Sequence, residues 1–211
     1  MDVVVVASGP LRWSEELVAV VRGADLVLAA DGGANHLARV GVRPEAVIGD
    51  LDSITPSVRT WIGEARIVHR PDQETTDLHK ALSYAFDERG ATSVVVIGAT
   101  QGRLDHALEN LALLARFDTR GRIELCGEEG RVLAVRGRAE IETSPDQTVS
   151  LLPLGRCERV TTRGLRWPLD GEPLDLAART GVSNVALGER VGLDVEGGVL
   201  LVFLHRHPAG C

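Results

Sequence analysis

Lysine is almost missing from this chain: Lys80 is the one lysine among its 23 Lys and Arg residues. A P-loop needs Gly-Lys-Ser/Thr after a strand, and Schiff-base chemistry needs a lysine in an apolar pocket. Lys80 lies in a polar helical segment with no Gly-Lys before it, so Walker-type phosphate binding is excluded. Cysteine is scarce as well. Cys126, Cys157 and Cys211 are odd in number and far apart, which gives neither a disulfide framework nor a zinc-type C-x-x-C pair. A reducing cytoplasm is the expected compartment. Long apolar runs are absent too: Val3–Ala7 and Val199–Leu204 fall far short of the roughly 20 residues that span a bilayer. The opening Met1-Asp2 has no basic region ahead of its valines, so no signal peptide is expected. Finally, an excess of positive charge is lacking. At −7 net, the chain is not a generic nucleic-acid binder, and an acidic protein that handles phosphates needs a metal or local arginine.

What is present is an ordinary globular balance, 44% hydrophobic and 25% charged over 211 residues, enough for one large or two modest domains. From residue 2 to about 126, β-branched runs alternate with helical patterns. Val3–Ala7, Leu26–Ala29, Ala46–Ile48, Arg66–His69, Val94–Ile97 and Ile123–Cys126 are expected strands. Several are apolar without alternation, as in a parallel sheet covered on both faces. The clearest helix is Leu104–Arg116, with Leu104, Leu108, Leu111 and Ala115 on one face. Trp13 and Trp61 also fall in expected helices. After about residue 130 the pattern becomes strands without helices: Val132–Val135, Thr148–Leu152, Val185–Leu187 and Val199–Leu204. Turns are expected at Ser144-Pro145-Asp146, Leu154-Gly155, Asp170-Gly171 and Glu196-Gly197-Gly198. The expected architecture is an open parallel α/β sheet domain over residues 1–130, followed by a small all-β sandwich domain over 131–211.

Five aspartates fall just after expected strands or at the start of the next helix: Asp31, Asp50, Asp52, Asp77 and Asp105. In an open α/β sheet the carboxyl ends of the strands border one crevice, where ligands bind. Two unit charges about 4 Å apart repel by roughly 4 kcal/mol at an effective dielectric of 20, so converging carboxylates call for a cation. In an extended loop Asp50 and Asp52 point the same way and can share one hard divalent ion, an arrangement suited to magnesium on a polyphosphate. Singly, each aspartate has an ordinary explanation in a tight turn or a helix cap, as does Thr76. Recurrence at successive strand ends does not. Arg103, next to Gly102, is the natural phosphate ligand because a guanidinium forks onto phosphate oxygens. His36, His79 and His106 show no metal-ligand spacing and are expected to be mainly structural. Trp167, beside Pro168 in a Gly-bounded segment, is either sandwich core or a stacking platform for a cation or a pyrimidine.

At these residues the sequence resembles the thiamine pyrophosphokinase (thiamine diphosphokinase) family. The match runs through Ala30-Asp31-Gly32-Gly33-Ala34-Asn35, Gly49-Asp50-Leu51-Asp52-Ser53-Ile54, Asp72-Gln73 with Thr76-Asp77, and Gly102-Arg103-Leu104-Asp105-His106 with Asn110. It continues through Gly164-Leu165-Arg166-Trp167-Pro168-Leu169 and Ser183-Asn184. Thr100-Gln101 depart from it, standing where a more glycine-rich run is expected. The resemblance implies an N-terminal catalytic domain, a C-terminal sandwich that binds thiamine, and a homodimer with active sites at the subunit interface. The implied reaction is ATP plus thiamine giving AMP plus thiamine diphosphate. On this reading Asp50, Asp52 and Asp77 hold magnesium, and Asp31 and Asp105 orient the substrate hydroxyl or pyrimidine, one of them accepting its proton. Gln73, Thr76 and Arg103 contact ATP, while Trp167, Ser183 and Asn184 contact thiamine. Three other readings compete. A haloacid-dehalogenase-type phosphatase would want the Asp-x-Asp pair on the first strand and a downstream lysine. A diphosphokinase could instead act on another hydroxyalkyl heterocycle such as a pterin, and a binding module would not need five carboxylates.

Overall fold

The computed structural model describes residues 1–206, so Cys211 lies outside the described residues. The chain forms two compact units, residues 1–127 and a second unit from Glu128. In the first, strands β1 (Asp2–Val6), β2 (Leu26–Ala30), β3 (Ala46–Gly49), β4 (Ile67–His69), β5 (Ser93–Ile97) and β6 (Arg122–Gly127) alternate with helices α1 (Glu15–Gly23), α2 (Gly33–Arg39), α3 (Pro56–Ile62), α4 (Asp77–Ser83) and α5 (Leu104–Phe117). All pairings are parallel and the strand order is β6-β5-β1-β2-β3-β4. The order reverses about β1, which sits between β5 and β2, so the loops after β1 and β5 part at a topological switch point. They stay close there: a Cβ on Gly9 would lie 2.5 Å from the Gly98 carbonyl oxygen. The central strands β1, β2 and β3 are mostly buried, with all four residues of β3 inside, as the unalternating apolar runs require, whereas β4 at the edge has no fully buried residue.

Two helix expectations are corrected. The residues of α5 that pack inward are Asn110, Leu113, Leu114 and Phe117, whereas Leu104 and Leu108 are exposed. Both stripes have helical spacing, and periodicity alone does not say which one faces the sheet. Trp13 lies in the loop before α1, where its indole N–H donates to the His36 carbonyl at 3.2 Å, and only Trp61 is helical. The helix starts follow ordinary capping chemistry: the Ser14 hydroxyl accepts from Leu17 N–H at α1, and the Thr76 hydroxyl accepts from His79 N–H at α4.

The second unit is all β: β7 (Gly130–Glu142), β8 (Thr148–Leu154), β9 (Arg156–Arg163), β10 (Glu172–Asp175), β11 (Gly181–Val185) and β12 (Arg190–His205). β12 runs antiparallel to β7 along both its halves. Residues 192–196 also pair with β9, and residues 199–204 with β8. β9 continues to β10 and β8 to β11. The layers thus share β7 and β12 and close over one core that includes Val149, Leu151, Cys157, Leu174 and Leu200. The expected turn at Glu196-Gly197-Gly198 is a bulge inside β12, where the register with β7 shifts between Val195 and Leu200. The expected strand at Val185–Leu187 ends instead at Val185. β9 does not stand out in the sequence because charged residues fill its exposed positions, and β10 has only four residues, one of them Pro173.

Candidate active site

Asp31 follows β2, and its N–H still donates to the Ile48 carbonyl of β3 at 2.8 Å. The chain then swings through φ 41° at Asp31 into α2. A Cβ at Gly33 would lie 1.9 Å from the Val6 carbonyl oxygen, so glycine is what lets α2 start directly against β1. The Asp31 side chain is only 2% exposed. One carboxylate oxygen accepts the Ser53 N–H at 3.0 Å, and the other, Oδ1, is buried with no hydrogen-bond partner among the described residues. Burial raises the pKa of Asp31, opposed by the hydrogen bonds from Ser53 and reinforced by the charges of Asp77 and Asp52. Asn35, one turn on, ties this loop down: its amide N–H donates to the Ser53 carbonyl at 2.9 Å and its oxygen accepts from Thr55 N–H at 3.1 Å.

Asp50 follows β3 through Gly49. A Cβ at Gly49 would come within 2.9 Å of both the Asp31 Cβ and Asp77 Oδ1, so the absence of a side chain there permits the carboxylates to gather. Asp50 Oδ2 accepts from Gln73 Nε2 at 3.0 Å, the first cause of its lowered pKa. Asp77, the first residue of α4, accepts the Asp50 N–H at 3.3 Å and the Lys80 ammonium at 3.2 Å on Oδ1. Ligand oxygens of Asp31, Asp50 and Asp77 lie within 4.8 Å of one another. Leu51 takes φ 69°, so the loop is not extended: Asp52 N–H turns back onto Asp50 Oδ1 at 3.3 Å, and the exposed Asp52 carboxylate accepts the Ser53 hydroxyl at 2.7 Å. Asp31, Asp50 and Asp77 thus gather their carboxylates, while Asp52 of the expected Asp50-Asp52-Asp77 set stands beside that group and not within it.

Asp105 likewise is not one of the three gathered carboxylates. It is exposed at the start of α5 and engaged by both forks of Arg103, with Nη2–Oδ2 at 2.6 Å and Nε–Oδ1 at 3.1 Å. That contact holds the Asp105 pKa down to about 2. A cleft of about 740 Å³ is lined by Asp50, Gln73, Thr76, Asp77, Lys80 and Arg103, together with Gly9 of the loop after β1 and Gly98 and Gly102 of the loop after β5. Sequence reasoning missed Lys80. Its side chain is 6% exposed, and the one signal available was its place at i+3 from Asp77. Of the three histidines expected to be mainly structural, two have packing roles: His36 Nε2 is bonded to the Gly9 carbonyl at 2.9 Å, and His79 packs edge-on to Phe117. His106 lines the cleft.

In the second unit Trp167 is 57% exposed, so it is not core. Asn184 is buried, and its amide is spent on that tryptophan's backbone: Oδ1 accepts Trp167 N–H at 3.1 Å and Nδ2 donates to the Trp167 carbonyl at 2.7 Å. Asn184 thus holds the Trp167 backbone in place. Ser183 is exposed at φ 60°, and its N–H donates to the buried Ser150 hydroxyl at 3.0 Å. The Arg166 guanidinium stands 5.8 Å from the Trp167 ring centroid.

Residues 17–126 match the family model described as thiamin pyrophosphokinase, catalytic domain, and residues 138–200 match thiamin pyrophosphokinase, vitamin B1 binding domain. Thiamine pyrophosphokinase 2 of Oryza sativa subsp. japonica is 31% identical over 206 residues, covering 84% of this chain and 77% of that protein. Thiamine pyrophosphokinase of Bacillus subtilis is 27% identical over 205 residues, covering 94% and 95%. A crystal structure of the Bacillus subtilis thiamine pyrophosphokinase superposes with a TM-score of 0.86 at 26% identity, covering 97% of this chain and 99% of that one. With one model spanning more than half of the sequence and a second taking up most of the rest, the chain belongs to the thiamine pyrophosphokinase family.

Proposed function

We propose that this chain is a thiamine diphosphokinase, transferring the pyrophosphoryl group of ATP to the hydroxyethyl group of thiamine and releasing AMP. The observation that carries the reading is the Asp31-Asp50-Asp77 cluster at the strand ends, with one Asp31 oxygen buried and unpartnered, in a chain that matches both family domains. An all-oxygen donor set suits a hard divalent cation, and magnesium is the proposed one. Held by Asp31, Asp50 and Asp77, such a cation would offset the charge that develops during in-line displacement at phosphorus.

The chain's own residues do the rest. Asp50 and Asp77 offer oxygens on the cleft wall and Asp31 contributes from beneath, while Asp52 flanks them through Ser53. Gln73 and the Thr76 hydroxyl, which still has its proton to donate, meet ATP, and Arg103 exchanges its Asp105 contact for phosphate oxygens. Of the two aspartates assigned to the substrate hydroxyl, Asp105 is the poorer proton acceptor, because Arg103 depresses its proton affinity. Trp167, presented by Asn184, and Ser183 recognise thiamine. The proposed assembly is a cytoplasmic homodimer with active sites at the subunit interface. Among the described residues no helix is long and apolar enough to cross a membrane.

Incubating the protein with ATP, magnesium and thiamine should yield AMP and thiamine diphosphate in equal amounts. ADP with thiamine monophosphate, free phosphate, or no turnover would each overturn the reading.

A further inference from the structure

Of the 23 lysines and arginines all but one are arginines, and the exception, Lys80, is buried in the cleft. Two general effects oppose a cation at this position: desolvation, and the positive end of the α4 dipole, since Lys80 is the fourth residue of that helix. What holds it is the acidic cluster, through the 3.2 Å contact to Asp77 Oδ1 and a Coulombic pull on Asp50. An ammonium is a compact point charge without the guanidinium fork, so it can balance charge here without locking both oxygens of a carboxylate. Asp77 Oδ2 stays outside its grip.

We infer that Lys80 is a positioning residue, a built-in counter-charge that fixes Asp77 and sets how tightly the cluster holds its divalent cation. The inference rests on the proposed cation site. Three ionised carboxylates and Lys80 carry a net −2, which one divalent ion brings to zero; without Lys80 the loaded cluster keeps a negative charge facing an incoming polyphosphate. Lys80 therefore weakens cation binding in the empty cleft and favours nucleotide binding in the loaded one.

The test is nucleotide-free titration of the full chain with Mn²⁺, followed by paramagnetic resonance, together with thermal melts. Lys80→Met should bind Mn²⁺ about tenfold more tightly, equivalent to about 1.4 kcal/mol, because a nearby positive charge is gone. It should melt lower without the ion and gain more from it, and its KM for nucleotide should rise. Lys80→Arg, which keeps the charge, should bind Mn²⁺ within about twofold of the parent chain. Unchanged or weaker Mn²⁺ binding by Lys80→Met overturns the inference. If that variant folds only with Mn²⁺, the inference stands; if it stays unfolded at saturating Mn²⁺, it falls. Failure of the underlying cation site would look different: the parent chain itself would not bind Mn²⁺, and Asp50→Asn would change nothing.

Discussion

Asp31 and Asp105 have the same side chain under opposite conditions. Burial raises the Asp31 pKa, whereas Arg103 pulls that of Asp105 to about 2. For Asp31 the sign of the stability effect follows from its folded pKa lying above the unfolded one. Its contribution is fully present below the unfolded pKa and is lost as pH rises through the folded pKa. At neutral pH the ionised, buried carboxylate is therefore a cost, and Asp31→Asn should raise the cation-free melting temperature at pH 7, a gain that fades on acidification. The same variant should lose the melting increment that Mg²⁺ gives the parent chain; melts with and without Mg²⁺ at pH 4 and pH 7 check both statements. Asp50→Asn should reduce kcat/KM by at least about 10²-fold and weaken cation binding, while Asp52→Asn, outside the cluster, should leave cation binding nearly intact. Equal losses of binding in the two would show that Asp52 and not Asp31 completes the site. Arg103→Lys should lower kcat/KM by about 10²-fold with no change in melting temperature, because an ammonium cannot reproduce a forked contact and the side chain is exposed.

At the scale of elements, α5 separates two apolar stripes by burial. Leu113→Ala should cost about 2–5 kcal/mol in denaturant unfolding, whereas Leu108→Ser should be close to neutral for the isolated chain. Gly33→Ala should destabilise by about 1–3 kcal/mol or more, since α2 must retreat from the Val6 carbonyl. These cases show what the sequence made legible. The buried strands β1, β2, β3 and β5 are visible as unbroken β-branched or apolar runs, and Asp31 and Asp50 mark the carboxyl ends of β2 and β3. The inward face of α5 is not visible, because Asn110 belongs to it: its amide donates to the buried Ala99 carbonyl, a partner known only once the fold is known. The position of Asp52 beside the carboxylate group is not visible either, because Leu51 adopts a left-handed conformation that a leucine rarely takes. The burial of Lys80 is not visible in its polar helical segment, because it depends on Asp77 and on the loops around it.

For the whole molecule, each unit has its own hydrophobic core, one around Val4, Val6, Ala29 and Val47, the other around Val149, Leu151 and Leu200. If the second unit reads thiamine, Trp167→Ala should raise the KM for thiamine about 5- to 30-fold, the worth of a stacked cation contact of about 1–2 kcal/mol, and leave that for ATP unmoved. Mixing Asp50→Asn subunits with Trp167→Ala subunits under exchange conditions should regenerate activity if sites are shared across a homodimer, and give no gain if each chain is self-sufficient.

β12 pairs with β7, β8 and β9, so it is the strand on which the second unit's other strands depend. During synthesis those three strands emerge before their common partner, whereas the last strand of the first unit is already present at Gly127. A ribosome-bound chain should accordingly fold its first unit vectorially while the second waits with unsatisfied edges. Chaperone capture and proteolysis of stalled nascent chains should concentrate on β7–β11 until β12 has left the exit tunnel.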